Sequence, residues 1–249
     1  MWGWIPAKSL RCEPAESWHD SNWTVRPEDS LDRLRRKHEA AAMSVSKRDA
    51  IYDELLCRLI CGRYRFGDRI IVNDVAAETR ASRQPIGAAL NALAAEGYVR
   101  VVPQVGCDVV DPSSERIGDF FRYLGVVEQE FAGLAAARGE GGRRAVMVAA
   151  RRLAEDWDGL ISGEKLRRGK ELLDIVHAMA GSPLLGLRYG GLMNMANFFV
   201  MQCTDTVPDL GDFRDRLNGL AENVATGDVA SAKAAARTHI AGLAQTCLA

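Results

Sequence analysis

Arg83 and Gln84 stand side by side in the stretch ASRQPIGAALNALAAEGYVRVVPQVG, residues 81–106, as two long hydrogen-bond donors at the start of an apolar helical pattern. An arginine fork suits the O6 and N7 edge of guanine, a glutamine amide suits adenine, and both reach phosphate oxygens. The free N–H groups of a helix start add their own attraction for phosphate. The chemistry on offer is recognition of a nucleic acid by base edge and backbone together.

The surrounding residues must hold those two donors at a helix tip. Ser82 is a good N-cap and Pro85 falls in the first turn, where a missing N–H costs nothing, so the helix starts at about Arg83. Ile86, Leu90 and Leu93 recur at i, i+4 and i+7 as one buried stripe, while Arg83, Gln84, Gly87 and Asn91 turn away from it. Gly97 closes the helix. Tyr98 to Val102 and Cys107 to Val110 then read as two strands across the turn Pro103-Gln104-Val105-Gly106.

Upstream, Ile51, Leu55 and Leu59 share a helical stripe with Tyr52, Leu56 and Ile60 beside it, CGRYRFGDR breaks the period, and NDVAAETR makes a short helix ending at Arg80. The order helix, short strand, helix, tight turn, helix, hairpin is a winged helix-turn-helix. Such a module inserts the second helix of the pair into the major groove by its N-terminal residues and rests the hairpin on the backbone or minor groove.

IYDELL, GRYRFGDRI, VAAET, ASRQPIGAALNALAAEGYV and VPQVGCDVV, spaced in register over roughly residues 50 to 110, resemble the GntR-type bacterial transcription regulators. The resemblance implies DNA contacts at Asn73, Arg80, Ser82, Arg83, Gln84, Gly87, Asn91, Gln104 and Gly106. Arg83 and Gly106 match the family pattern; Gly87, Asn73 and Val105 stand where it commonly has arginine. Between Ser44 and Asp111 nine basic side chains meet nine acidic ones, so the module is formally neutral, and binding is expected to be weaker or narrower than is usual.

Beyond Asp111-Pro112 the pattern is wholly helical. Six segments, from SSERIGDFFRYLGVVEQEFAGLAAAR to DVASAKAAARTHIAGLAQTCL, are punctuated by Gly141-Gly142, Gly163, Gly181-Ser182-Pro183, Pro208 to Gly211 and Gly227-Asp228, and predict an antiparallel bundle. In the first of them Phe120, Leu124, Val127, Phe131 and Leu134 give the apolar period.

HAMAGSPLLGL and ATGDVASAKAAARTHI resemble the all-helical effector domain of the FadR/FCD branch of the same regulators. That resemblance implies a divalent metal, Zn, Ni or Mn, inside the bundle. His177 and His239 match family positions; Asp174 lies three residues before His177, where the branch spaces them by four, and the middle histidine position falls on Leu217. The alternative is that both histidines are satisfied by hydrogen bonds inside the bundle. Arg122, Arg188, Asn194 and Asn197 would serve an acidic effector if they face inward, since a buried guanidinium needs a carboxylate.

Length, 249 residues with 47% hydrophobic and 26% charged composition, allows two ordinary cores. Net charge is −1, no apolar run approaches the roughly 20 residues of a membrane span, and no secretory-type start is present. Six cysteines without a C-x-x-C pair predict buried thiols in a reducing compartment, hence a cytoplasmic protein. Residues 1–42 carry four of the five tryptophans with no apolar period, and read as disordered or as a translated upstream segment preceding Met43.

No phosphate loop, G-x-G-x-x-G, H-E-x-x-H or G-x-S-x-G occurs, so an enzyme is not expected. The expected molecule is mainly α: a winged helix-turn-helix over 43–111, then an all-helical effector-binding and dimerisation domain over 113–249. It would be a homodimeric repressor of a pseudo-palindromic duplex operator, controlled by a small organic acid. A metal-dependent hydrolase and a protein-binding helical adaptor are the alternatives.

Overall fold

The computed structural model describes residues 47–102, 106–138, 140–203 and 212–248; the side chains of 183–189 are outside the description. The readings of residues 1–42, of Gln104 and of the Pro208–Gly211 punctuation lie outside the described residues. Two compact units are present: one comprises Tyr64–Val110 with the described residues up to Leu59, and the other includes the chain from Asp111 onward.

In the first unit α1 (Lys47–Ile60) is followed by β1 (Arg69–Ile70), α2 (Val72–Thr79), α3 (Arg83–Ala95), β2 (Val99–Val102) and β3 (Gly106–Val109). The strands form one antiparallel sheet in the order β1-β3-β2, with Arg69 opposite Asp108 and Arg100 opposite Asp108 from the other side. The apolar stripes converge as their periods require. Ile51, Leu55 and Leu59 of α1, Val75 of α2, Ile86, Leu90 and Leu93 of α3, and Ile70, Val99, Cys107 and Val109 of the sheet are all buried. Each fully buried leucine of such a core contributes roughly 1.5–3 kcal/mol.

Two polar clamps fix α1 to the helix pair. The buried Arg58 guanidinium donates to Glu54 one turn back at 2.6 Å and to Glu78 on α2, and Tyr52 donates to Glu96, just past α3, at 2.7 Å. A guanidinium taken out of water is tolerable only with carboxylates around it.

The turn between α2 and α3 depends on Arg80, which ends α2 in the left-handed region at φ 53°. α2 therefore stops at Thr79, one residue before the predicted end. Ser82 occupies the N-cap position in extended backbone, but its side chain makes no capping hydrogen bond.

The second unit holds six helices among the described residues: α4 (Ser114–Arg138), α5 (Arg143–Ala154), α6 (Ser162–Met179), α7 (Pro183–Gln202), α8 (Phe213–Thr226) and α9 (Val229–Leu248). α4 and α9 run in opposite senses along a row of glycines. A Cβ at Gly118 would meet Leu248 at 3.7 Å and one at Gly125 would meet Ile240 at 3.7 Å, while Gly133 is covered by Lys233. Small residues on that row let the two backbones approach closely.

The buried stripe of α4 is Phe121, Leu124, Glu128, Phe131 and Ala135. The predicted stripe is thus turned by about one residue, with Phe120, Val127 and Leu134 half-buried at its edge. Several helices contact α4, so no single arc of it is defined by one neighbour. The second of the six segments, between Gly142 and Gly163, is only partly α-helical: α5 ends at Ala154, and Asp156 in the left-handed region leads into a 3-10 turn that buries Trp157.

Candidate nucleic-acid interface

α3 presents Ser82, Arg83, Gln84 and Asn91 as exposed side chains at its start and along its outer face, with Gly87 one turn after Arg83 on the same row. Arg83 has neither an ion-pair nor a hydrogen-bond partner among the described residues. The apolar side of α3 locks the helix in place, so its first turn projects from a braced support, with backbone N–H groups and the Arg83 fork pointing out together. A Cβ added at Gly87 meets nothing within 4 Å. The face at that position is open rather than packed.

Asn73 is exposed in the first turn of α2, and Arg80 is exposed at its left-handed C-terminus. Gly106 has a requirement of its own: its φ is 145°, and a Cβ there would stand 2.5 Å from the Ile70 carbonyl oxygen. Only glycine lets β3 begin this close to β1.

The hairpin alters the charge reading. Asp108 on β3 accepts from Arg69 at 2.8 Å and lies 3.5 Å from Arg100, and these guanidinium groups, Arg69 foremost, hold its carboxyl below the ordinary aspartate range. Arg100 is therefore already engaged, as is Arg58. Arg83 stands at the start of the helix that follows the tight turn, with no counter-charge beside it among the described residues. The Arg100–Asp108 pairing follows from hairpin register, which the two strand patterns make readable; the Arg69 partner needs β1 to add to the sheet, which no local pattern announces.

The bundle residues are not gathered as the resemblance implies. Among the described residues no three His, Cys, Asp or Glu side chains stand together as a set able to hold a metal ion. Asp174 is ion-paired with Lys170 at 2.7 Å, one turn earlier on its own helix. His177 Nε2 faces Glu128 of α4 at 3.2 Å from both carboxylate oxygens, and its ring lies 4.5 Å from the Phe131 ring. His239 is buried against Phe213, centroids 5.1 Å apart, with neither nitrogen hydrogen-bonded. Asp174, His177 and His239 are thus not gathered into one set among the described residues: Asp174 pairs with Lys170, His177 with Glu128, and His239 packs on Phe213.

Arg122 lies on the outer face of α4 and pairs with Asp119, so it is not an interior partner for an acid. Asn194 and Asn197 of α7 are buried, and the Arg188 side chain is outside the description. Sequence reasoning missed Glu128 and Arg216. Glu128 carries a legible signal, a carboxylate between Leu124 and Phe131 on an apolar stripe; Arg216 carries none.

Residues 47–109 match the family model of the bacterial regulatory proteins, gntR family. Among solved structures, McbR/YncC of E. coli superposes with a TM-score of 0.68 at 15% identity, over 81% of this chain and 98% of that one. A transcriptional regulator GntR from Rhodococcus sp. RHA1 gives a TM-score of 0.68 at 20% identity, over 82% and 98%. Lar, which controls expression of the Listeria monocytogenes agr system, gives 0.51 at 15% identity, over 81% and 96%. At these identities the likeness is one of fold. No curated protein matches the sequence.

Proposed function

We propose, from the match of residues 47–109 to the family model of the bacterial regulatory proteins, gntR family, that the chain is a ligand-controlled repressor that grips a pseudo-palindromic operator as a homodimer. The observation that carries this reading is the exposed, unpaired Arg83 at the N-terminus of a helix whose other side is anchored in the core. A fork there can lie along a guanine edge while the helix start holds the adjacent phosphate. Two-fold symmetry would place the second copy of α3 about 34 Å away, one helical turn along the duplex.

The helical unit is the effector-binding and dimerisation half, of the FadR/FCD kind, and its effector is a small organic acid. That acid acts only if it binds the DNA-competent and DNA-incompetent arrangements with different affinity. The near balance of charge in the DNA-binding unit makes affinity depend on a few contacts more than on a general basic surface. A gel shift of the full chain with the duplex upstream of its own gene tests the reading. A discrete shift that survives non-specific competitor supports it, and identical binding to any duplex defeats it.

A further inference from the structure

The partly exposed Arg216 and the fully buried His239 are two polar groups left incompletely satisfied on neighbouring helices. The Arg216 side chain of α8 lies flat on α9 at Gly242: a Cβ there would stand 2.5 Å from Nε and 2.7 Å from Nη2, so the absence of a side chain is what admits the guanidinium. Gly242 follows His239 by three residues, nearly one turn, so both groups act on one face of α9. Arg216 Nε is buried without a hydrogen-bond partner, and the carboxylate beside it among the described residues, the highly exposed Asp212, reaches Nη1 only at 3.7 Å. His239 is 1% exposed, with both ring nitrogens unpartnered. Phe213 closes the apolar side of the imidazole, backed by Trp157 stacked on it at 5.9 Å.

We propose that Arg216 and His239 form a metal-independent seat for one carboxylate group of the acidic effector. The inference rests on the regulator reading above for the identity of its ligand class. An arginine fork and an imidazole N–H together supply planar donors that match the two oxygens of a carboxylate. His239 contributes one N–H donor and Arg216 contributes the charge. An anion seated here offsets the cost of burying the unpartnered Nε and imidazole nitrogens. The guanidinium thus does the work that a cation would do where a bundle gathers carboxylate and histidine ligands, a set not found among the described residues.

The test uses the full chain, free of DNA and treated with EDTA, with acetate, malonate and citrate as carboxylate probes and inorganic phosphate as the competing anion. At least one carboxylate should raise the thermal midpoint of the wild type, undiminished by the chelator, and bind at least ten-fold more weakly to Arg216→Met. Arg216→Met should itself melt at or above the free wild type, because it removes an unsatisfied charge, and circular dichroism checks its helix content. Arg216→Lys, which keeps the charge and loses the fork, should fall between the two.

Binding that needs added metal, that persists in Arg216→Met, or that favours phosphate over every carboxylate overturns the seat. Operator binding with no carboxylate response also overturns it while leaving the regulator reading intact. A carboxylate response in a chain that binds no operator supports the seat and removes the regulator reading.

Discussion

Glu128 of α4 and His177 of α6 face each other inside the bundle, with the imidazole Nε2 3.2 Å from each carboxylate oxygen and both side chains buried. A carboxylate at this depth is retained only where something donates to it, and the histidine two helices later in the chain does so. The pair ties the longest helix to the one whose C-terminal turn carries His177.

Removing either partner leaves the other facing an apolar wall. Glu128→Leu is expected to cost about 1–3 kcal/mol of unfolding free energy, and His177→Leu a similar amount. Their double replacement should cost less than the sum, with a coupling on the order of 1 kcal/mol in a urea-denaturation cycle. Additive losses would mean that the contact contributes nothing.

On the DNA side, Arg83→Ala should weaken operator binding by about 1–3 kcal/mol, measured by fluorescence anisotropy at fixed salt. Its thermal midpoint should stay that of the wild type, because the side chain is exposed and touches nothing in the core. Unchanged affinity would strip Arg83 of its assigned role.

Two glycines of the same module should respond in opposite ways. Gly87 is helical with open space above it, so Gly87→Arg should add about 0.5–1 kcal/mol of helix stability and steepen the salt dependence of DNA binding by about one unit. Gly106 stands at φ 145° under the Ile70 carbonyl, and Gly106→Ala should destabilise by about 1–3 kcal/mol. Chemical denaturation and salt titration of both variants decide this.

The pH response of the free protein should carry the signature of His239. Burial pushes its imidazole down to about 3, with Arg216 reinforcing the effect, whereas an unfolded histidine titrates near 6.5, about its ordinary value. Between those values the unfolded chain holds a proton that the folded one lacks, so the contribution is complete above about pH 6.5 and is lost as pH falls. Asp53 works in the opposite sense: burial, with Asp49 nearby, raises its carboxyl to about 6, and its contribution is lost as pH rises through that value. The two overlap, so the difference between wild type and His239→Leu isolates the histidine. Urea midpoints at several pH values should fall less steeply on acidification in His239→Leu, and parallel curves would contradict it.

Local patterns told most about the DNA-binding unit. Alternation marked the hairpin, the i, i+4, i+7 rows of α1 and α3 marked their buried faces, and the donors Arg83 and Gln84 marked the helix tip, because each of these depends on residues a few positions apart. The bundle was legible as six helices for the same reason. Its interior was not: the rotated stripe of α4, the capture of Asp174 by Lys170 and the approach of Arg216 to Gly242 each depend on which helix lies opposite.

The sequence by itself determined what was periodic and short in range: a helix-turn-helix with a wing, a helical second half, and an arginine at the head of α3. Only tertiary structure decided which charges are spent within the fold, with Arg58 and Arg69 held by carboxylates and Arg83 left bare, and which buried groups meet. Coulomb and hydrogen-bond energies depend on distance through space, and in a packed bundle Glu128 and His177 become neighbours although 49 positions separate them along the chain.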